Sequence, residues 1–416
     1  ALNWKNRMCR RLYRLFIIAF VFIVSYSLQA KPLYIEITDV QEYGIPIAIV
    51  PFQFKVQPGV AGNVPDLASI IRQDLKSSGQ FRPMPVKEMD SSKFEDINID
   101  FDYWKGEVVD NLVTGQVIEQ EDGLFEVSFQ LMDIYTDTGK VLSHIKFNRQ
   151  HPLKFRALAH HISDLIYEKL TGVKGAFSTR IAYITVDHFE NETVHTLTVA
   201  DADGHNDKPL VTASYPLMSP SWSPDGRKIS FVSFRGNRSS VRVVDVQTGQ
   251  VEEITRIPGI NGAPTWSPDG NQLAVVLSKD GVPKIYTLDV RRKRLKRITS
   301  GGAMDTEPCY DPDGKSIVFT SNRPGKPQIY RVILATGKVK RLTFKGDYNA
   351  TPSLTSDGKK LVFMQKDEGG GFNIAVQDLN SGRVKTLTRS LHDESPSLAP
   401  NGMMVLYGSR VSGRNI

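Results

Sequence analysis

The arrangement of apolar and polar residues changes near residue 172. Beyond it, short alternating runs recur, such as Ile229–Phe234, Leu273–Leu277 and Leu361–Met364. Alternation with a period of two is typical of β-strands, whose successive side chains point to opposite faces. Before residue 172 the pattern is mixed, because alternating runs are interspersed with apolar positions spaced three and four residues apart. The two halves therefore predict different folds.

The C-terminal half repeats every 44 residues. Five prolines mark the same position in successive units: Pro220, Pro264, Pro308, Pro352 and Pro396. Each is followed by a turn of the Pro-Asp-Gly type and then by alternating runs that predict further strands. Four short strands in about 40 to 45 residues are the pattern of a β-propeller blade.

Counting second strands predicts a six-bladed all-β propeller over residues 173–416. The first blade is degenerate and begins near Ile181–Val186, and the last blade is expected to be truncated after its second strand, Met404–Tyr407. One slot in each unit carries a large side chain, which we expect to fill the space between adjacent blades rather than to stack on a cofactor: Trp222, Trp266, Tyr310, Leu354 and Leu398.

Residues 31–172 predict a small α+β domain. Helical spacing of apolar residues, bounded by glycines, predicts two main helices, and alternation predicts the strands. The expected elements are a strand over Ile45–Phe54, a helix over Pro65–Ser78, a short helix over Tyr103–Asp110, strands over Leu112–Glu119, Leu124–Ile134 and Lys140–Asn148, and a helix over Pro152–Leu170.

The first thirty residues are interpreted as a signal peptide. A basic stretch, Arg7–Arg14, precedes the apolar run Leu15–Val24, which is shorter than a membrane-spanning helix. A retained anchor is the alternative. This segment also explains the net charge of +7, because residues 31–416 contain 47 basic and 45 acidic residues. The basic balance therefore does not predict nucleic-acid binding.

Motifs that carry catalysis are missing from the sequence. It contains no Gly-x-Ser-x-Gly, His-Glu-x-x-His, P-loop or Cys-x-x-Cys pattern. Cys309 would be the single cysteine after signal removal and occupies a slot held elsewhere by Ser or Thr, which favours a packed residue over a nucleophile. The sequence predicts no enzyme, no cofactor and no metal site.

Two polar clusters have plain interpretations. The helical pair His160-His161 is interpreted as solvated or half-buried, and the run Arg291–Arg294 as an exposed turn. The propeller histidines fall at unequal positions of the repeat, which argues against a shared metal site. They are His188, His195, His205 and His392.

The loops before the repeat prolines occupy one slot in successive blades. They should cluster on one face around the channel, and their small and acidic residues predict a concave rim that binds a protein segment of basic character. The alternative is a rim that only caps the channel. The candidate residues are Ile260, Asn261, Gly262, Ala263, Asp305, Thr306, Glu307, Asn349, Ala350, Thr351, Asp393 and Glu394.

The combined motifs resemble the TolB family of the periplasmic Tol-Pal envelope system of Gram-negative bacteria. The resemblance covers nearly all of residues 31–416 and depends on a signal segment, an α+β domain and five stretches. These are IPIAIVPF at 45–52, PLMSPSWSP at 216–224, NGAP at 261–264, TEP at 306–308 and DESPSLAPNG at 393–402.

The resemblance implies partners. The family's propeller face binds the peptidoglycan-associated lipoprotein Pal, and Ala263 and Thr306 match family contacts. Ile260 departs from the family's usual histidine, which puts one polar contact in doubt. The mature N-terminal segment of the family docks on TolA, which implies a role for residues 31–40, namely Lys31, Leu33, Tyr34, Ile35, Glu36, Ile37 and Asp39.

The resulting hypothesis is a monomeric periplasmic adaptor that supports outer-membrane integrity and constriction at cell division. The rival is a propeller enzyme, either a polysaccharide lyase or a peptidase-like hydrolase. A metal bound in the funnel, or an activity lost with one histidine, would favour the rival.

Overall fold

The computed structural model describes residues 44–55, 65–93, 99–136, 140–236, 238–366, 369–390, 392–411 and 414–415. The expected signal peptide (1–30) and the expected TolA-binding segment (31–40) lie outside these residues. None of the described helices is long and apolar enough to cross a membrane.

Among the described residues of the N-terminal region, three α-helices form: α1 over Leu67–Ser77, α2 over Phe101–Gly106 and α3 over Phe155–Thr171. Helix α1 begins where the Asp66 carboxylate accepts a hydrogen bond from the Ser69 amide (3.1 Å). Helix α3 ends at Gly172, whose φ of 74° is a left-handed conformation that glycine adopts without steric cost. These two helices confirm the predictions.

Two predicted elements are displaced. Helix α2 starts earlier than predicted, because the Asp100 carboxylate caps it by accepting the Tyr103 amide (3.0 Å). The strand expected over 45–54 is divided into β1 and β2, and the interruption contains Pro51, which has no amide hydrogen to donate.

In the described part of the chain, the N-terminal sheet has six strands: β1 Ile45–Ile49, β2 Gln53–Lys55, β3 Phe81–Pro83, β4 Asn111–Glu119, β5 Phe125–Asp133 and β6 Lys140–Gln150. The order is β3-β1-β4-β5-β6, and β2 also pairs with β4. The pairs that involve β1 and β2 are parallel, whereas β4, β5 and β6 are antiparallel. Buried side chains of α1 and α3, including Ile71 and Ile162, form one core with the sheet.

The propeller region forms a series of antiparallel sheets. The first has three strands: β7 Arg180–His188, β8 Thr193–Asp201 and β9 Lys208–Ala213. Four sheets of four strands follow. They are β10 Leu217–Trp222, β11 Lys228–Arg235, β12 Arg238–Asp245 and β13 Val251–Thr255; β14 Asn261–Trp266, β15 Gln272–Leu277, β16 Lys284–Asp289 and β17 Leu295–Arg297; β18 Asp305–Tyr310, β19 Ser316–Ser321, β20 Gln328–Ile333 and β21 Val339–Arg341; and β22 Asn349–Leu354, β23 Lys360–Lys366, β24 Phe372–Asp378 and β25 Val384–Thr386.

The prediction of six blades is confirmed only in part. Five sheets have the three or four strands of a blade, and a sixth blade is not confirmed. At the sixth position the described residues form a two-stranded sheet, β26 Glu394–Leu398 with β27 Val405–Gly408. A separate hairpin follows, β28 Arg410–Val411 with β29 Arg414–Asn415.

The large side chains of the repeat slot lie between blades, as predicted. Trp266 is 7% exposed, and its Nε1 donates to the Ser221 carbonyl of the preceding blade (3.2 Å). Cys309 directly precedes Tyr310, which occupies the same slot as Trp266 one repeat later. Burial raises the pKa of the Cys309 thiol to about 11, which agrees with a packed residue rather than a nucleophile.

Candidate binding surface

The predicted contact residues lie at or just before the starts of β14, β18, β22 and β26. Together with Met218 in β10 and Met304, which directly precedes β18, they form the channel rim. Its residues are 218, 260–263, 304–307, 349–351, 393 and 394. The inner strands contact one another in sequence, β10 with β14, β14 with β18, β18 with β22 and β22 with β26. The structure therefore brings these loops together, as the repeat predicts.

Each inner strand contains the same bulge. The residue before the repeat proline has a left-handed φ, and the strand register shifts there. The φ values lie between 42° and 55° at Ser219, Ala263, Glu307, Thr351 and Ser395. Such a conformation is costly for residues other than glycine, so the surrounding sheet has to hold it in place. The sequence did not predict this bulge.

Four of the predicted contact residues are not at the surface. Asn261, Asp305, Asn349 and Asp393 are all 0% exposed. The Asn261 side chain accepts from Thr255 Oγ1 and from the Ile257 amide (both 3.0 Å), so it holds the preceding loop. Ala350 is also buried. The prediction that these five residues form contacts on an open rim is wrong, because they face the interior between blades.

Asp305 belongs to a buried ion cluster. Its Oδ2 lies 3.0 Å from Lys284 Nζ, and its Oδ1 lies 2.8 Å from Arg323 Nη1. Lys284 is also 0% exposed and donates to the Ala303 carbonyl as well. At the equivalent place one blade later, Asn349 Nδ2 donates to Gln328 Oε1 (2.9 Å) without any charge. Asp305 is therefore neutralised internally and does not attract a basic partner.

The remaining acidic rim residues differ in their availability. Glu307 is half-buried, and its carboxylate accepts from Thr320 Oγ1 (2.7 Å) and from the Thr351 amide (2.9 Å) of the next inner strand. Glu394 is exposed. Gly262, Ala263 and Thr306 are half-buried. The carboxylates of Asp305 and Glu307 are therefore engaged in internal ion pairs or hydrogen bonds, which leaves them little capacity to bind a basic partner.

Exposed side chains on the rim are mainly apolar. Met218 is 51% exposed, Ile260 50% and Met304 47%. Ile260 and Met304 occupy the same repeat position in successive blades. Apolar side chains that remain exposed near a concave surface mark candidate sites of protein association. Met304 was not predicted, although it shares the repeat position of Ile260. Met218 lies two positions later in its repeat unit, within the predicted loop before Pro220.

A second polar cluster joins the N-terminal domain to the propeller. His160 of α3 is 2% exposed, and its Nδ1 lies 2.8 Å from Asp74 Oδ2 of α1. Its Nε2 lies 3.5 Å from Asp203 Oδ2 in the turn between β8 and β9. Arg156 of α3 pairs with the same Asp203 oxygen. The prediction of a solvated or half-buried pair is therefore wrong for His160, whereas His161 is exposed and packs edge-on against Phe147.

This junction network, Asp74, Arg156, His160 and Asp203, has three groups close enough to share an ion. The donor set does not fit a metal, because Arg156 already pairs with Asp203 Oδ2 and His160 Nδ1 is paired with Asp74. Of the propeller histidines, His205 approaches the network, at 3.4 Å from Asp203 Oδ2.

The basic run Arg291–Arg294 is an exposed turn, as predicted. Lys293 pairs with Glu252 of the preceding blade (2.7 Å). A groove of about 490 Å³ beside it is lined by residues that include Thr287, Asp289 and Lys296. This groove lies on the outer strands, away from the channel rim.

The fold defines a two-domain protein in which a small α+β domain precedes a β-propeller. Residues 33–139 match the model of the TolB amino-terminal domain, and residues 167–416 match that of the TolB beta propeller domain. The chain belongs to the TolB family of Tol-Pal system proteins.

Relatives support this assignment. The chain is 47% identical over 408 residues to the Tol-Pal system protein TolB of Alkalilimnicola ehrlichii, which covers 97% of this chain and 93% of that protein. It is 46% identical over 232 residues to the Coxiella burnetii protein of the same name, but that match spans only 52% of the relative. The crystal structure of TolB from Acinetobacter baumannii superimposes with a TM-score of 0.81, at 38% identity over 91% of this chain and 92% of that chain.

Proposed function

We propose that this chain is a periplasmic adaptor that binds Pal through the channel rim and TolA through residues 31–40. In this role it would support outer-membrane integrity and constriction at cell division, as an exported protein whose signal peptide (1–30) is removed. The observation that carries the proposal is the rim of Met218, Ile260 and Met304, three exposed apolar residues beside contiguous inner strands of a TolB-family propeller.

The burial of the rim carboxylates changes the expected chemistry of the Pal contact. Asp305 and Asp393 are 0% exposed, so a basic segment would gain little from them. We propose instead that an apolar segment of Pal covers Ile260 and Met304. Burial of apolar side chains at the centre of an interface is worth more than rim charges.

The rim contact is tested by the pair Ile260→Asp and Met304→Asp. Central apolar contacts typically contribute about 2 kcal/mol, so each variant should weaken Pal binding roughly 30-fold in calorimetric titration. Leu295→Asp is the matched control, because Leu295 is an exposed apolar residue (37%) on outer strand β17. Unchanged Pal affinity in both rim variants, or an equal loss in the control, would contradict the rim assignment.

Ala263 and Thr306 provide a steric test of the same surface. Both are half-buried on the rim, and an arginine at either position would project into the space that Pal is proposed to fill. Ala263→Arg and Thr306→Arg should each abolish Pal binding in a pull-down while leaving the unfolding transition in place.

The TolA contact is tested by deleting residues 31–40. We expect TolA binding to be lost and Pal binding to be retained, since the rim does not include this segment. The two proposals are therefore separable, because failure of one leaves the other standing. Retention of TolA binding by the deletion variant would refute the N-terminal assignment.

The propeller region is further proposed to extend over residues 173–416 and to have six blades, with β26 and β27 as the inner half of the sixth. Strand β26 carries the same bulge as β10, β14, β18 and β22, which supports this proposal. We propose a monomeric protein without catalytic activity. Stoichiometric metal binding, or a lyase or peptidase activity lost with one histidine, would favour the enzyme hypothesis instead.

A further inference from the structure

The junction network places one imidazole between two carboxylates from different parts of the chain. Asp74 lies on α1, His160 and Arg156 lie on α3, and Asp203 lies in the β8–β9 turn of the propeller. His160 and Asp74 are 2% and 4% exposed, so water cannot replace a lost partner. The contact between His160 and Asp203, which crosses the domain junction beside the Arg156–Asp203 ion pair, therefore depends on the protonation state of His160.

The two protonation states of His160 make different contacts. A neutral imidazole that donates from Nδ1 to Asp74 leaves a lone pair on Nε2, directed at the Asp203 carboxylate 3.5 Å away. Nε2 is buried and has no hydrogen-bond partner in the present geometry. An imidazolium has a donor on each nitrogen and can hold both carboxylates at once.

We propose that His160 is a proton-operated clamp that joins the N-terminal domain to the propeller when it is charged and loosens the junction when it is neutral. The clamp goes beyond the adaptor role. The clamp rests on the proposed adaptor role in one respect only: an exported chain would be exposed to the pH of the medium.

The electrostatic surroundings support a charged His160. Burial lowers its pKa, but the hydrogen bond and charge of Asp74 and the charge of Asp203 raise it more, so that the pKa of His160 lies above its usual value. Arg156 opposes this effect. Burial raises the pKa of Asp74. Burial also acts to raise the pKa of Asp203, but the His205 amide and Arg156 outweigh it and hold that pKa below its usual value.

The sign of the pH dependence follows from these shifts. Because the pKa of His160 is raised in the folded chain, its stabilisation is complete below the unfolded value of about 6.5 and is lost as pH rises through the folded value. The acid limit is set by protonation of Asp74. Arg156 still binds Asp203 when His160 is neutral, and Asp164 still accepts the Phe177 and Ser178 amides, so the junction loosens without separating.

Amide hydrogen exchange of the full chain, followed by mass spectrometry between about pH 5.5 and 9, tests the clamp. The reporter is the β8–β9 turn, where the His205 amide donates to Asp203 Oδ1 (3.1 Å). After correction for intrinsic rates, exchange should accelerate by up to ~10-fold per pH unit above the pKa of His160.

In the variant His160→Gln, the amides of the β8–β9 turn should exchange quickly at every pH. The matched control is His161→Gln, which alters the exposed neighbouring residue and should keep the pH profile of the wild type. A flat pH profile in the wild type, or an unchanged profile in His160→Gln, would overturn the proposal. Asp203→Asn is the second variant in case His160→Gln does not fold. It leaves the N-terminal core intact and should lower the pKa of His160 measured by NMR, and an unchanged pKa there would also refute the clamp.

Discussion

Two carboxylate clusters, one buried and one partly buried, hold different parts of this molecule together, and they use different cations. In the propeller, Asp305 is neutralised by Lys284 and Arg323. At the junction, Asp74 and Asp203 flank His160, with Arg156 as a further partner of Asp203. Lysine and arginine remain charged over the physiological range, whereas an imidazole does not.

The difference matches what each region has to do. The Asp305 cluster lies under the rim between consecutive blades, where a loss of charge would leave a buried ion without a partner. The junction joins two separately packed cores, so a bond there can weaken while both cores persist. The permanent charges of Lys284 and Arg323 suit the Asp305 cluster, whereas the titratable His160 allows the junction to be regulated.

The largest effect is expected from breaking the propeller cluster. Lys284→Met leaves Asp305 buried and paired only with Arg323, which should lower the free energy of unfolding by about 3 to 5 kcal/mol in urea titration. Lys326→Met is the control, because its ion pair with Asp347 is exposed and should leave the urea midpoint unchanged. If Lys284→Met changed the free energy of unfolding only slightly, Arg323 alone would be sufficient to neutralise the Asp305 carboxylate.

A double substitution sharpens the comparison. Lys284→Gln with Asp305→Asn copies the neutral pair of Gln328 and Asn349 found one blade later. It should be more stable than the sum of its single variants implies, with a coupling energy of about 1 to 3 kcal/mol in a double-mutant cycle. Additive single effects would show that the two side chains do not act as a unit.

The smallest effect is expected from Arg156→Gln at the junction. Arg156 and Asp203 are partly exposed, at 22% and 21%, so the loss should be about 1 kcal/mol. Removing this positive charge should raise the pKa of His160, so the pH at which stability declines should move upward. A downward shift, measured by urea titration at several pH values, would contradict the junction electrostatics described above.

Much of the fold could be predicted from local pattern. Helices α1 and α3 have apolar positions on one face and a glycine at or just beyond the end. Three of the five repeat units carry a Pro-Asp-Gly turn, and the other two carry the close variants Ser-Asp-Gly and Pro-Asn-Gly. The slot shared by Trp266 and Tyr310 was recognisable because it recurs every 44 residues. Such features depend on near neighbours in the chain, which is why the sequence suffices for them.

The candidate site was harder to predict. Position alone assigned Asn261, Asp305, Asn349 and Asp393 to the rim, but their burial depends on contacts with distant residues, such as the hydrogen bond of Asn349 to Gln328. Four of the five repeat units carry Asn or Asp at this slot, and Leu217 occupies it in the other, which was a signal of a repeated internal hydrogen bond in those four units. A contact surface would not require that restriction to short polar side chains.

The sequence by itself determined the repeat, the turn chemistry, the two main helices and the placement of a rim before the repeat prolines, because each depends on residues close along the chain. Only the tertiary structure decided which rim residues are exposed. It also decided that His160, between Asp74 and Asp203, is a buried link and not a surface residue. These contacts join residues 86 and 43 positions away from His160, and no local pattern encodes such distances.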